Sequence, residues 1–455
     1  MSVPPSGNRT LSRDDGRIRA PLRVACFLPA FNAGETTRGI ELCRALVAQS
    51  SERQREVTVR LAYSSSSHDY APQIIASGLE AHRLPLHLDE GIVSGIMAAD
   101  HKAAELVSNR GTACRFVGAV MDEIIAWRPD LVVCGFVPPV GIAAQILQVP
   151  WVVYLPFPAY EPWVRRHLLK DLPDDFDNAL TTRAPSPVRR AFTKLLSAAM
   201  LSKGFFKQPT FAAAGREHGW RLARPDLFDM LAAPLQLVTD LPAFYRGQDV
   251  GPNTRITGPL FSRPPEIDVD LAIREMFSPG PHNRIFVSMG SSGEKPYLLA
   301  AVEALAIMRV RAVVIVAPRI CSLSEVRQHL TVPPHILLTD AFIPAHQVNA
   351  MADAAVIHGG QGTVQTAVGA GTPIVGVGMQ VEQCTNLDNV ANSGAGIRIP
   401  KRQWTPEKIC QAVSRVLEVP SYRQGAARLK SEHDSLDGRH EAARAIWDFV
   451  DSNAL

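Results

Sequence analysis

The side chains with the clearest chemical capacity lie in a glycine-rich segment, residues 354–383, which reads AAVIHGGQGTVQTAVGAGTPIVGVGMQVEQ. An apolar run ends at His358, and glycines on both sides of Gln361 precede Thr363, where a helix is predicted to begin. Glycine lets a backbone turn sharply and come close to a ligand. The free N–H groups and positive dipole at a helix start favour an anion such as a diphosphate. His358 and Thr363 would add side-chain donors to the same anion.

Two further polar residues, Glu382 and Gln383, follow the next predicted strand. An acid beside an amide is suited to hydrogen-bonding the hydroxyls of a sugar. Each residue also has an ordinary structural explanation: Thr363 as a helix N-cap, His358 as a satisfied histidine at a strand end, and the acid–amide pair as an exposed helix start. Only their combination at this spacing favours a ligand site.

The segments that must position these residues alternate between apolar strands and helices. In the first half, strands are predicted at 22–29, 57–63, 131–136, 151–155 and 235–239. The pattern restarts in the second half with strands at 284–289, 312–317, 336–338, 354–358 and 374–377. Near-continuous apolar strands separated by helices predict parallel sheets covered on both faces, so we expect an α/β fold with two Rossmann-like doubly wound domains. Such a pair binds its ligand in the cleft between the carboxyl ends of the strands.

Length and composition fit this organisation. A chain of 455 residues, 46% hydrophobic and 20% charged, is expected to form two globular domains. We predict a disordered leader at 1–20, an N-terminal acceptor-binding domain at 21–245, a linker at 246–265 and a C-terminal nucleotide-sugar domain at 266–435. Residues 436–455 are predicted to form a helix that could pack back on the N-terminal domain.

The bulk properties also limit the partners and the compartment. A formal charge of +3 gives no reason to expect nucleic acid, whereas contact of a local basic patch with an anionic membrane surface stays open. Prolines interrupt the uncharged stretch 131–160, so a spanning helix is not expected there. Seven dispersed cysteines favour free thiols in a reducing compartment, and we predict a cytoplasmic protein.

The ordered set H-G-G-x-G-T, G-x-P and E-Q resembles the donor-binding signature of the UDP-glycosyltransferase superfamily, glycosyltransferase family 1, especially its bacterial branch acting on natural products and lipids. Residues 287–291 (VSMGS), 342–344 (FIP) and 257–260 (TGPL) are similar to three more of its elements. The resemblance implies a GT-B fold. It also implies inverting, metal-independent transfer from a UDP-sugar or dTDP-sugar to a hydroxyl of a small-molecule or lipid acceptor, with no cofactor beyond that co-substrate.

The resemblance assigns roles to particular residues. Phe342 would lie against the nucleotide base, the backbone around Ile343 would pair with the base edge, and Glu382 and Gln383 would bind the sugar. The other donor-binding residues would be Gly34, Gly290, Ser291, His358, Gly360, Gly362 and Thr363. Thr366 stands where plant members carry a ribose-binding Glu, as is typical of bacterial members.

The catalytic base is the point at which the chain departs from the family. Members usually carry a His in the first loop of the N-terminal domain, where this chain has Glu35, and a supporting Asp expected near 134–137 is missing. Glu35 could be the base, its pKa raised by a closed cleft, or it could contact a ligand. The chain could also be an inactive relative that binds or assists a partner. The plain structural explanation is an acid at a helix start, favoured by the dipole.

Two other features have competing explanations. The triplet 268–270 (DVD) matches a metal-binding pattern, but its place just after the linker indicates a solvated helix start. In region 160–211, aromatic and basic residues could line an acceptor pocket or touch a membrane, or they could form an amphipathic helical subdomain. These residues are Trp163, Phe192, Phe205 and Phe206 with Arg165, Arg166, Arg189 and Arg190.

Overall fold

The computed structural model describes residues 20–101, 104–167, 184–203, 206–221, 226–248, 250–264 and 267–455. The predicted leader therefore lies outside the described residues except for Ala20. So do Phe205 and the side chains of Arg165, Arg166 and Arg190 from the predicted acceptor region.

The first half forms a sheet of seven parallel strands in the order β3-β2-β1-β4-β5-β6-β7. The strands are β1 Leu22–Leu28, β2 Val57–Ser66, β3 Glu80–Leu88, β4 Leu131–Cys134, β5 Trp151–Leu155, β6 Leu235–Val238 and β7 Thr254–Ile256. The helices are Ala33–Ala48, Ala71–Ile75, Glu90–His101, Arg110–Trp127, Pro138–Leu147, Glu161–His167, Ser186–Lys203, Pro209–Glu217 and Leu227–Met230. Short 3-10 turns lie at Phe157–Ala159 and Pro242–Tyr245.

The second half forms a sheet of six parallel strands in the order β10-β9-β8-β11-β12-β13. The strands are β8 Arg284–Ser288, β9 Arg311–Ile315, β10 Ile336–Thr339, β11 Ala354–Ile357, β12 Ile374–Gly376 and β13 Gly396–Arg398. The helices are Leu271–Met276, Lys295–Ile307, Leu323–His329, Ala345–Met351, Gln361–Ala370, Val381–Asn392, Pro406–Glu418, Pro420–Asp434 and Gly438–Ser452, with a 3-10 turn at Lys401–Gln403.

Strand order reverses once in each sheet, between β1 and β4 and between β8 and β11. Loops that leave neighbouring strands in opposite directions open a crevice at the carboxyl edge of a parallel sheet, and ligands bind there. Both faces of each sheet are covered, because separate apolar clusters pack on its two sides. The predicted pair of doubly wound α/β domains is confirmed.

Several elements differ from the sequence prediction. Strand β3, Glu80–Leu88, is not among the strands predicted for the first half. Residues 254–256, assigned to the linker, form edge strand β7, which pairs with β6. The helix predicted over 436–455 is observed at Gly438–Ser452, after a separate helix at Pro420–Asp434. β7 has only three residues, too few to show a period, whereas β3 is an edge strand in which exposed residues, Pro85 among them, alternate with buried leucines.

The last helix, Gly438–Ser452, packs against the helix Ala33–Ala48 of the N-terminal domain. Trp447 is buried there, and its indole N–H donates to the Leu46 carbonyl at 3.2 Å. The Gln49 amide donates to the His440 carbonyl at 2.9 Å. The chain therefore crosses from the second sheet back to the first, and its end supports the helix that follows β1.

Candidate active site

A cavity of about 740 Å³ lies between the two sheets, where the loops after β1 and β4 face those after β8 and β11. Its wall includes all but one of the residues predicted to bind the donor or to act as the base; the exception is Gln383. Of the aromatic and basic residues named in region 160–211, Phe206 lines the cavity. The residues brought together are Gly34, Glu35, Gly290, Ser291, Phe342, Ile343, His358, Gly360, Gly362, Thr363 and Glu382. Residues from positions 34 to 382 thus converge on one cleft.

His358, directly after β11, is buried between two glycine loops. A Cβ atom at Gly290 would lie 2.3 Å from His358 Cε1, and one at Gly360 would lie 2.5 Å from His358 Nε2. Gly290 also has φ of +57°, in the left-handed region that favours glycine. The two glycines therefore give the imidazole its place at the cleft wall.

The helix Gln361–Ala370 begins at this wall, with Gly360 as its N-cap. The N–H groups of a first helical turn have no partner within the helix. The Gln361 N–H donates to the Glu382 carboxylate at 3.1 Å, while Gly362 and Thr363 line the cleft. The Thr363 hydroxyl donates to the Gly360 carbonyl at 2.8 Å, so it also stabilises the first turn.

Glu382 and Gln383 lie in the first turn of the helix Val381–Asn392 and face different ways. The Glu382 carboxylate accepts from the Asn386 amide at 2.6 Å and the Gln380 amide at 3.3 Å. Burial raises the pKa of Glu382 to about 7, although the charge of Arg38 opposes that rise. Gln383 is buried behind the wall, accepting from the Met379 N–H at 2.8 Å and donating to the Ser292 hydroxyl at 3.0 Å. Its geometry supports Ser292 and not a direct contact with sugar.

Two aromatic rings meet at the far end of the cleft. Phe342 follows β10 and packs edge-to-face on Tyr70 of the N-terminal domain, with ring centroids 6.2 Å apart. Tyr70 is hydrogen-bonded to Ser291, whose hydroxyl also accepts from the Ala33 N–H at 3.4 Å. Ile343 lies beside Phe342 in the wall. This end of the cleft offers a flat apolar surface next to backbone polar groups.

Glu35 is a buried acid in the first turn of the helix Ala33–Ala48, which Asn32 caps by accepting from the Glu35 N–H at 3.2 Å. One carboxylate oxygen pairs with Arg38, and the other accepts from the Phe136 N–H at 3.2 Å. A Cβ atom at Gly135 would lie 1.7 Å from that second oxygen. Both oxygens of Glu35 are therefore engaged, and the chain after β4 is shaped to fit them.

Arg38 extends this ion pair into the C-terminal domain. Its guanidinium also donates to the Gln361 side-chain carbonyl. The Gln361 amide in turn donates to Asp240 Oδ1 at 2.6 Å and to the Thr239 carbonyl at 2.9 Å, both just after β6. The start of the helix Gln361–Ala370, called the glycine-loop helix below, is thus bound by three groups of the other domain.

Part of the C-terminal domain matches a family model, and similar structures extend over nearly all of the chain. Residues 305–447 match the family described as Erythromycin biosynthesis protein CIII-like, C-terminal domain. The crystal structure of glycosyltransferase VinC in complex with DTDP covers 93% of this chain and 99% of its own, with a TM-score of 0.61 and 18% identity. The fold is GT-B.

Two curated relatives support the same assignment. The 4'-demethylrebeccamycin synthase of Lentzea aerocolonigenes is 31% identical over 223 residues, 49% of this chain and 51% of the relative. A PGL/p-HBAD biosynthesis glycosyltransferase of Mycobacterium tuberculosis is 25% identical over 331 residues, 71% of each chain. Together these similarities support a place for the chain in the bacterial natural-product glycosyltransferase superfamily. The alignment with the first relative spans only about half of that protein's length.

The cleft also contains charged residues that the sequence analysis did not single out. Arg319 pairs with Glu90 at 3.2 Å and donates to the His68 carbonyl at 3.1 Å, linking the loop after β9 to the N-terminal domain. Asp100, in the helix Glu90–His101, lines the cleft. A charge at a helix end is common in any sequence, so nothing in the composition of these segments marks them as parts of a site.

The metal-like triplet and the acceptor region also have structural outcomes. Asp270 caps the helix Leu271–Met276 by accepting from the Ala272 N–H at 2.7 Å, as expected for a helix start. Across the described ranges, no group of three His, Cys, Asp or Glu side chains is arranged to hold a metal ion. Trp163 is buried, whereas Phe192 is 45% exposed. No helix in the described part of the chain combines the length and apolarity needed to span a bilayer.

Proposed function

We propose that this protein transfers a sugar, with inversion, from a UDP-sugar or dTDP-sugar to a hydroxyl of a small-molecule or lipid acceptor, without a metal ion. The observation that carries the proposal is the meeting of a helix N-terminus, His358 and the buried Arg38 at one point of the interdomain cleft. The sequence relatives include proteins named as glycosyltransferases, and one similar structure was solved with DTDP.

The diphosphate would lie against the amides of Gly362 and Thr363. Their N–H groups and the helix dipole supply partial positive charge, and the Arg38 guanidinium, paired with Glu35 and bonded to Gln361, lies beside them. His358 and Ser291 add donors from the neighbouring loops. A leaving diphosphate gains negative charge as the glycosidic bond breaks, so donors fixed before the reaction stabilise the transition state.

The two ends of the donor would then be separated along the cleft. The base would stack on Phe342 beside Tyr70, with the backbone near Ile343 along its edge. The sugar would lie toward Glu382 and Gln380, where a carboxylate and an amide can take hydroxyl hydrogen bonds. Gln383 would act through Ser292.

Inversion follows from a single displacement. An acceptor oxygen held opposite the diphosphate attacks the anomeric carbon, and a base removes its proton. The acceptor side of the cleft belongs to the N-terminal domain and is largely apolar. Its wall includes Phe136, Ala159, Phe206, Leu227, Phe228 and Leu231.

One observation favours a second candidate function. Glu35, which takes the place of the family's usual His, has both carboxylate oxygens engaged in the buried pair with Arg38 and the Phe136 N–H. A chain without a base at that place could bind a nucleotide sugar and assist another enzyme without turning it over.

A panel of UDP- and dTDP-sugars, scored by nucleotide release with and without EDTA, separates the two functions. We expect release that survives the chelator. Loss of activity with EDTA, restored by magnesium, would overturn the metal-free mechanism. A protein that binds UDP but releases none from any donor would favour the accessory role.

The diphosphate site is tested by calorimetric titration of UDP against His358→Ala and Thr363→Ala. We expect each substitution to weaken UDP binding about tenfold, equivalent to about 1.4 kcal/mol. Thr405→Ala is the matched control, because Thr405 caps a helix start outside the cleft wall by accepting from the Lys408 N–H. Unchanged UDP affinity in both cleft variants would remove the assigned site.

A further inference from the structure

Asp100 is the acidic side chain best placed to serve an acceptor hydroxyl. It lies in the helix Glu90–His101, and Ile96 and Met97, four and three residues earlier, lie on the same helix face. All three line the cleft. Asp100 is therefore the polar end of an otherwise apolar stripe on the N-terminal wall, where the acceptor is proposed to bind.

On its other side, Asp100 reaches the sugar end of the donor site. It is hydrogen-bonded to Gln380, and the Gln380 amide also donates to Glu382 at 3.3 Å. Glu382 in turn accepts from the N–H that begins the glycine-loop helix. Three contacts thus connect Asp100 to the predicted diphosphate cradle.

We infer that Asp100 is the catalytic base of the proposed transfer and removes the proton of the attacking acceptor hydroxyl. The inference rests on the proposed function. It also accounts for the missing His at position 35. Glu35 pairs with Arg38, while Asp100, between the apolar wall and the proposed sugar site, would accept the proton.

The environment of Asp100 suits a base near neutral pH. Burial raises its pKa to about 6, and the negative charge of Glu35 raises it further, whereas the hydrogen bond with Gln380 opposes both effects. Glu35 faces it from the helix Ala33–Ala48, and Gln380 from the loop after β12. At pH 7 the carboxylate is mainly ionised and still basic enough to accept a proton from a polarised hydroxyl.

The step balances in atoms and charge. The acceptor oxygen forms a bond to the anomeric carbon while its proton passes to an Asp100 carboxylate oxygen. The bond from the anomeric carbon to the diphosphate oxygen breaks, and its electron pair stays on the diphosphate, facing Arg38 and the helix N-terminus. Release of the proton to water restores the base.

The test compares wild type with Asp100→Asn, which keeps the shape and removes the base. The donor is the nucleotide sugar with the highest release in the panel, and the probe acceptors are 4-methylphenol, 4-nitrophenol and water. We expect kcat with 4-methylphenol to fall about 100- to 10,000-fold while UDP affinity stays within twofold. The loss should be smaller with 4-nitrophenol, because that phenol is far more acidic than 4-methylphenol and is partly ionised at neutral pH.

The pH profile gives a readout that a merely structural role would not move. Because the base acts when deprotonated, wild-type kcat/KM for 4-methylphenol at saturating donor should rise with pH through about 6 and then level off, and that rise should be absent from the residual activity of Asp100→Asn. The matched control is Asp122→Asn, an exposed carboxylate on the helix Arg110–Trp127, which should behave as wild type.

The outcomes separate the two proposals. An active wild type with an Asp100→Asn variant within threefold of it, or with an unchanged pH profile, overturns the assignment of Asp100 alone. A wild type that turns over no donor overturns the proposed function and this inference together. Weak UDP binding by Asp100→Asn would contradict the inference too, because it would place Asp100 in donor binding.

Discussion

Two turns of the same shape face each other across the cleft. In one, β1 leads into the helix Ala33–Ala48; in the other, β11 leads into the helix Gln361–Ala370. Both follow central strands at a reversal of strand order, and both present a helix N-terminus to the cleft. They differ in charge: the first helix carries Glu35 in its first turn, and the second has no acid in its first turn.

That difference decides what each turn can bind. Glu35 and the Asn32 cap satisfy the first helix from within, and Arg38 neutralises the acid. In the turn after β11, glycines leave the amides of Gly362 and Thr363 facing the cleft, while the Gln361 N–H donates to Glu382 of a neighbouring helix. One local fold therefore serves as an internal anchor in the first domain and as the proposed anion site in the second.

The largest effect should come from breaking the anchor with Arg38→Ala. Glu35 is only 7% exposed, and the substitution would remove its cation. An uncompensated buried charge lowers the free energy of unfolding by about 3–5 kcal/mol. Guanidinium denaturation followed by circular dichroism measures this loss.

The matched control for Arg38→Ala is Arg246→Ala. Arg246 is 72% exposed and pairs with Glu432, so its loss should cost at most about 1 kcal/mol. Adding Glu35→Gln to Arg38→Ala should recover part of the stability, because it removes the stranded charge. Equal losses for the two arginine variants would show that the anchor is no stronger than a surface pair.

The contrast also explains how far the sequence could be interpreted. The apolar strands and glycine-rich turns are local signals, and they predicted two parallel α/β domains and the gathering of residues such as His358 and Thr363 in one cleft. Three edge strands were missed: β7 and β13 have only three residues each, and β3 contains charged residues and has Pro85 between two of its leucines.

The side-chain partners of the site could not be predicted in the same way. Arg38 and Gln361 are 323 positions apart, and which groups satisfy them depends on how the two domains dock. Gln383, expected in the cleft from its neighbour Glu382, faces Met379 and Ser292, since successive residues on a helix point about 100° apart. No motif in the sequence marks Asp100, because its contact with Gln380 arises only from the packing of the two domains.

An effect of intermediate size is expected from Gly362→Ala, which separates ligand binding from stability in the turn after β11. Gly362→Ala adds a methyl group that meets no atom within 4 Å, in a helix where Ala is more favourable than Gly by about 1 kcal/mol. We expect unchanged or slightly higher stability together with about tenfold weaker UDP binding, because the methyl group would lie between the amides and the diphosphate.

Gly95→Ala is the matched control for that substitution, since Gly95 is an exposed helical glycine that also has open space around it. It should gain similar stability and leave UDP affinity unchanged. Calorimetry and thermal unfolding of both variants check the pair. Normal UDP binding by Gly362→Ala would mean that the diphosphate does not approach this turn.

The smallest expected effect is a pH dependence of donor affinity caused by Glu382, which accepts from the Gln361 N–H in the turn after β11. Burial raises the pKa of Glu382 to about 7 from near 4.5, so the folded protein holds this proton more tightly than the unfolded chain, and stability from this group declines as pH rises from about 4.5 to 7. Ionised Glu382 would repel the donor diphosphate. Affinity for UDP-glucose should therefore fall about threefold to tenfold between pH 6 and 8, as measured by calorimetry. Glu382→Gln should flatten this dependence; an unchanged slope would contradict the assignment to Glu382.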